Sequence, residues 1–141
     1  MELPSSLTST LFKEKAVFYF ISEQVNQEPH NFVVIKNDNN SFLFFSCCTS
    51  QHNSVYNYIK RNNYDEATMA SLDYNKHSFL KKPTFINCNS KIEYTYSEFV
   101  NLYENGKIKH KGSISDEEYK SIVNGILLSE EIEEELKDKF R

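Results

Sequence analysis

Two short polar segments of this sequence carry the side chains that could act on a phosphate group. They are Glu28-Pro29-His30 and Thr49-Ser50-Gln51-His52. An imidazole with a pKa near 6.5 can transfer protons at neutral pH, and hydroxyl and amide groups can hold phosphate oxygens. His30 and His52 are therefore the candidate proton-transfer groups. Thr49, Ser50 and Gln51 are the candidate phosphate ligands.

Two strand-like runs must position these segments. Residues 31–36 (NFVVIK) and 41–47 (SFLFFSC) are rich in β-branched and aromatic side chains, which are typical of buried strands. Four turn-forming residues, 37–40 (NDNN), join them and predict a hairpin. In a hairpin the start of one strand lies beside the end of its partner, so His30 and residues 49–52 should meet at one rim of a sheet.

The same residues also allow a purely structural interpretation. Thr49 and Ser50 could form a turn in which a hydroxyl bonds the backbone two residues later, and His30 could be an ordinary exposed loop histidine. On the residues alone this structural interpretation is favoured over the chemical one.

The three cysteines, Cys47, Cys48 and Cys88, could in principle bind zinc together with a histidine or provide a nucleophile. Adjacent residues of a strand point to opposite faces, so Cys47 and Cys48 would seldom share a metal. We expect all three to behave as small buried hydrophobic residues, with no metal and no cofactor. Their odd number does not suggest a disulfide framework and favours a reducing cytoplasm.

The rest of the chain predicts further strands and a helical end. Strands are expected at residues 16–21, 68–73, 83–88 and 107–113, and a short helix or loop at 54–61. Helices are expected at residues 98–105 after an N-cap at Ser97, after a capping box at residues 115–118, and at 130–140 after an N-cap at Ser129.

Length and composition predict a single α+β domain over residues 1–141, β-rich over 12–113 and helical over 115–140. The 11 Phe and 9 Tyr can supply a core although the hydrophobic share is 39%. The net charge of −4 comes mostly from the C-terminal helices, which leaves a mildly basic middle. No signal peptide and no membrane-spanning stretch are expected.

Residues 29–38 (PHNFVVIKND) and 45–51 (FSCCTSQ) resemble the PemK/MazF-like toxins of bacterial toxin–antitoxin systems. In that family an Arg-Pro pair precedes a Val-rich strand, and a Thr-Ser element ends a later strand. Here Glu28 stands where the arginine would be, and His30 follows Pro29. The resemblance implies a small SH3-like β-barrel with appended C-terminal amphipathic helices, often a homodimer, and a cognate antitoxin as partner.

The resemblance also implies a metal-independent endoribonuclease that cleaves single-stranded RNA through attack by the ribose 2′-hydroxyl. Thr49 or Ser50 would bind the scissile phosphate, and His30 would transfer protons in place of the arginine. Lys36, Lys81 and Lys82 would attract the RNA backbone, and Tyr56 or Tyr58 would stack on bases. The alternative is a non-catalytic small-barrel module that binds a protein or a nucleic acid through the same rim.

Overall fold

The computed structural model describes residues 11–141, so the first ten residues of the predicted domain lie outside the described part. The strands are β1 Ala16–Ile21, β2 Pro29–Asp38, β3 Phe42–Thr49, β4 Met69–Leu72, β5 Thr84–Asn87, β6 Ile92–Thr95 and β7 Lys109–Ser113. The α-helices are α1 His52–Arg61, α2 Tyr96–Glu104, α3 Asp116–Leu128 and α4 Glu134–Asp138, and a 3-10 turn spans Glu66–Thr68. None of these helices is both long and apolar enough to cross a membrane.

The seven strands form one antiparallel sheet in the order β4-β5-β3-β2-β1-β7, with β6 also paired to β3. The two end strands, β4 and β7, do not pair with each other, so this sheet does not close into a barrel. The predicted α+β class is confirmed. The SH3-like barrel that the resemblance implies is not confirmed.

The hairpin between β2 and β3 is confirmed, and its turn is built from asparagines. Asn39 and Asn40 both have positive φ, at 51° and 59°, a conformation that asparagine tolerates better than most residues. The side-chain oxygen of Asn37 accepts a 2.8 Å hydrogen bond from the backbone N–H of Asn40. This turn sets the register that brings Pro29–Asp38 and Phe42–Thr49 together.

Along the edge that faces away from β2, strand β3 pairs with two different strands. Its first half, from Phe42 to Phe45, pairs with β6. Cys48 and Thr49 instead pair with β5. The end of β3 that carries the predicted site residues is therefore held by β5 and, through it, by β4.

An aromatic core fills one face of the sheet. Side chains alternate along a strand, so Phe18, Phe20 and Phe45 point to the same face. Phe99 of α2 packs among them, with ring centroids 4.8 to 5.5 Å away. These edge-to-face and tilted contacts bury large rings, which explains how a chain of modest hydrophobicity forms a core.

A largely aliphatic core fills the opposite face, beneath α3 and α4. Its members include Val17, Val33, Ile122 and Leu136, all almost fully buried. Strand β2 bulges at Ile35, which has no register partner on β3, and the Tyr119 hydroxyl of α3 donates a 2.7 Å hydrogen bond to its carbonyl. The helix thus satisfies a backbone group that the bulge leaves unpaired.

Two of the cysteines belong to this aliphatic core. Cys48 and Cys88 are buried, as expected from the sequence, and Cys47 is half-buried. Burial raises the pKa of the Cys88 thiol to about 12 and that of Cys47 to about 11. All three are free thiols, and their raised pKa makes them poor nucleophiles.

Several predicted boundaries are wrong. The N-cap of α2 is Thr95, which forms a capping box with Glu98, and Ser97 lies inside the first turn. Strand β6 was not predicted. Ser129 ends α3 instead of beginning the last helix, and that helix spans Glu134–Asp138 instead of residues 130–140. Ser129 has an extended backbone, with ψ at 134°, so a helix cannot continue through it.

Candidate active site

A cleft of about 460 Å³ opens where the start of β2 meets the end of β3. Residues 79–84 form its opposite wall, and Tyr19 of β1 lies at its side. Six of the eight residues predicted for the site line it: His30, Thr49, Ser50, Gln51, Lys81 and Lys82. The structure therefore brings these six residues together at one end of the β2–β3 hairpin.

The strand register explains why these residues meet. Phe32 of β2 is opposite Cys47 of β3, and the two strands are antiparallel. Continuing this register brings His30 to the level of Thr49. The wall with Lys81 and Lys82 comes from the loop before β5, and Cys48 and Thr49 are the β3 residues with which β5 pairs.

The Thr49 hydroxyl has a structural role in the turn that ends β3. It accepts a 3.1 Å hydrogen bond from the backbone N–H of Gln51, which is the local turn expected under the structural interpretation. The hydroxyl can still donate its own proton to a ligand, because accepting this bond leaves the O–H unused. Within residues 11–141 the half-buried Ser50 hydroxyl makes no hydrogen bond.

His30 is half-buried in β2 and is not a loop residue. Its Nε2 lies 3.1 Å from Oδ1 of Asn26, and that same oxygen accepts the backbone N–H of Glu28 at 2.9 Å. Because a backbone N–H can only donate, the bond from Glu28 identifies this atom as the amide oxygen of Asn26, which can only accept hydrogen bonds. The neutral His30 ring therefore carries its proton on Nε2, and Nδ1 is the basic nitrogen.

His52 and Lys36 do not line the cleft. His52 is the first residue of α1, where its exposed ring lies almost parallel to Tyr56, with centroids 5.8 Å apart. Lys36 lies six residues beyond His30 on β2, about 20 Å along the strand. Its Nζ is 5.9 Å from the centre of the Phe140 ring.

The two tyrosines proposed to stack on bases differ in exposure. Tyr56 is exposed on the surface of α1, and the Nζ of Lys60 lies 5.5 Å from its ring centre. Tyr58 is half-buried, with its ring 5.9 Å from that of Tyr64. Tyr56 is therefore the more accessible of the two.

The cleft lining also includes Tyr19, Glu28 and Asn31, which were not assigned to the site from the sequence. Tyr19 stands opposite Asn31 in the register of β1 and β2, but it occurs in an apolar run that predicts only a buried strand. Asn31 has a buried side-chain oxygen with no hydrogen-bond partner among the described residues. That oxygen could accept a hydrogen bond from a ligand. A carbonyl group of this kind gives no signal in the sequence.

Glu118 of α3 forms hydrogen bonds with the segment that leads into the wall with Lys81 and Lys82. Its carboxylate accepts hydrogen bonds from Nε2 of His77 at 2.7 Å and from the backbone N–H groups of Asp73 at 2.8 Å and Ser115 at 2.9 Å. Burial alone would raise the pKa of the Glu118 carboxyl, but these three donors outweigh burial and lower it.

Chemically, this cleft can hold an anion and move a proton beside it. Two ammonium groups and two hydroxyls are suited to a phosphodiester, and the imidazole of His30 is suited to acid–base catalysis. Within residues 11–141, no three His, Cys, Asp or Glu side chains are grouped in a way that could hold a metal ion. No protein-family model matches the sequence, and no curated protein is similar enough to it to indicate a family.

Proposed function

We propose that this protein is an endoribonuclease of the PemK/MazF-like toxin type, which cleaves single-stranded RNA without a metal ion. The observation that carries the proposal is the cleft, which is lined by residues that include His30, Thr49, Ser50, Lys81 and Lys82. The ammonium groups attract the RNA backbone, and the hydroxyls bind the scissile phosphate.

The reaction needs one group to remove the 2′-hydroxyl proton and another to protonate the leaving 5′-oxygen. Glu28 and His30 are the two proton-transfer groups of the cleft in this proposal. The Glu28 carboxylate takes the 2′ proton while the 2′-oxygen attacks phosphorus. The protonated imidazole of His30 donates to the 5′-oxygen as its bond to phosphorus breaks. A 2′,3′-cyclic phosphate and a free 5′-hydroxyl result.

Lys81, Lys82 and the Ser50 hydroxyl stabilise the extra negative charge on the phosphorus oxygens during this step. Glu28 replaces the arginine of the family motif. This exchange removes a phosphate ligand and adds a base, so the two lysines take over the binding of the phosphate. The pH profile of cleavage should therefore be bell-shaped, with a carboxylate on the acid limb and an imidazole on the basic limb.

The test is incubation of pure protein with single-stranded RNA in EDTA, followed by chemical mapping of the fragment ends. We expect cyclic phosphate and 5′-hydroxyl ends, and a loss of at least 100-fold in rate in His30→Ala, in line with removal of a general acid. His52→Ala is the matched control, because this histidine lies outside the cleft. Absence of cleavage by folded protein in large excess would remove the enzymatic proposal.

The second candidate is a module that binds through the same cleft without catalysis. Two of the groups proposed to act on RNA already make hydrogen bonds within the protein, which favours this alternative. The Thr49 hydroxyl accepts from the backbone N–H of Gln51, and the His30 ring is bonded to Asn26. RNA binding without cleavage would support it. The toxin proposal further entails kinship with SH3-like barrels, an antitoxin protein as partner, a homodimer and a cytoplasmic location.

A further inference from the structure

We infer that the RNA-binding surface continues from the cleft over Tyr19 onto the outer strand β7, where Lys109 and Lys111 bind the phosphates that flank the scissile one. Tyr19 then stacks on the base next to the cleft. This inference rests on the proposed function and extends it from a single phosphate to a binding path along single-stranded RNA. We call Tyr19 of β1 and Lys109 and Lys111 of β7 together the β7 strip.

Tyr19 connects the cleft to β7. It lines the cleft and is 37% exposed, although its neighbours Phe18 and Phe20 are buried. In the register of β1 and β7 it stands opposite Lys109, so the two side chains share a face of the sheet. An exposed aromatic ring beside a cationic groove is the usual arrangement for binding unpaired bases.

A β-bulge brings Lys111 to the same ring. The pairing of β1 and β7 passes from His110, opposite Phe18, directly to Gly112, opposite Val17, so Lys111 has no partner residue on β1. Bulges of this kind redirect side chains. The Nζ of Lys111 lies 5.7 Å from the centre of the Tyr19 ring, within the range of a cation–π contact.

Because Gly112 has no side chain, the opposite wall of the cleft packs closely against β7. A Cβ atom at this position would lie 2.9 Å from the ring of Phe79, and the backbone has φ of +148°, which other residues rarely adopt. Phe79 also lines the cleft. The loop that carries Lys81 and Lys82 is therefore packed directly against the strand that carries Lys109 and Lys111.

Charge complementarity selects a polyanion as the occupant. Residues 107–113 (KIKHKGS) include three lysines and no acid, although the whole chain has a net charge of −4. As the last strand of the sheet, β7 also leaves one edge unpaired among the described strands. Stacking on Tyr19 requires an unpaired base, which favours single-stranded RNA over a duplex or an acidic protein.

The experiment measures binding of 2′-O-methyl oligonucleotides by fluorescence anisotropy over a range of salt concentrations. These probes lack the attacking hydroxyl and cannot be cleaved. One probe is a dinucleotide, which is too short to reach from the cleft along β7, and the other is an octanucleotide. The variants are Lys109→Ala/Lys111→Ala and Tyr19→Leu. Lys13→Ala/Lys120→Ala is the control, because it removes the same charge from other exposed positions.

For the octanucleotide we expect Lys109→Ala/Lys111→Ala to weaken binding at least tenfold. The slope of log K against log salt should fall by about 1.4, as expected for the loss of two phosphate contacts to a single strand. Tyr19→Leu should weaken binding about tenfold with little change in slope. Dinucleotide binding by the lysine variant should stay within twofold of the parent.

The inference is overturned if the strip variants bind the octanucleotide with the same affinity and the same salt slope as the control variant. That result is also the one expected if the β7 strip binds an acidic protein instead of RNA. If the parent cleaves RNA while the strip variants bind like the control, the inference fails and the proposed function stands. If the parent neither binds nor cleaves RNA, both fail.

Discussion

Replacing Glu118 with Gln is expected to destabilise the protein and loosen the cleft wall that carries Lys81 and Lys82. The Glu118 and His77 side chains are 11% and 9% exposed, so water cannot readily replace their contacts. One carboxylate oxygen accepts from His77 and Ser115, and the other accepts from Asp73. A Gln side chain in either orientation presents its NH₂ group to at least one of these donors.

The expected cost follows from the loss of one charge-assisted hydrogen bond and from the donor left without a partner. The two describe a single change, worth about 1.5–3 kcal/mol in total, because the lost hydrogen bond and the unpaired donor belong to the same contact. We therefore expect the free energy of unfolding to fall by about 2 kcal/mol at pH 7, which corresponds to roughly 8 °C in Tm for a domain of this size.

The pH dependence provides an independent check. The pKa of the Glu118 carboxyl is lowered in the folded state, so its contacts stabilise the protein above the unfolded pKa of about 4.3. This stabilisation is lost as the pH falls through the folded pKa. The difference in stability between the parent and Glu118→Gln should therefore be largest near neutral pH and should shrink below about pH 4.

Urea denaturation at a series of pH values measures both quantities. Glu98→Gln is the matched control, because Glu98 occupies the same capping-box position on α2 and has no contact to the cleft wall. The difference between the two variants then reports the bonds to Asp73 and His77. The reasoning is refuted if Glu118→Gln is no less stable than Glu98→Gln at pH 7, or if its deficit stays constant down to pH 3.5.

Two further substitutions test the packing and the cleft. Gly125→Ala on α3 should lower stability by about 1–2 kcal/mol, because the new Cβ would lie 2.7 Å from Sγ of Cys88 and 2.8 Å from a backbone carbonyl. A higher Tm, as helix propensity alone would give, would contradict this. Asn31→Val should raise stability by about 1 kcal/mol in urea titrations, since it removes a buried acceptor without a partner, while RNA affinity falls. A lower Tm would contradict that.

The sequence predicts best where local chemistry and tertiary structure agree. The β2–β3 hairpin follows from its asparagine turn between two buried runs, and that hairpin alone is enough to bring His30 near Thr49. The capping box of α3 is likewise local, because Ser115 and Glu118 bond each other's backbone. These features need no information from distant parts of the chain.

The errors come from long-range contacts. Strand β6 is short and polar on one side, and it exists because β3 offers an open edge from Phe42 to Phe45. Lys36 was expected near the cleft on charge alone, but its position on β2 takes it to the opposite end of the strand. The sequence does not single out Tyr19, because an apolar run does not show which of its side chains the helices leave exposed to solvent.

The shared pairing of β3 has a consequence for motion. A strand held by two different neighbours can lose one of them while the other half stays paired, so the two halves can behave as separate cooperative units. Phe42–Phe45 are fixed between β2, β6 and the aromatic rings, whereas Cys48 and Thr49 depend on the short strands β4 and β5. Opening of β4 and β5 would thus widen the cleft beside Thr49 without disturbing the aromatic core.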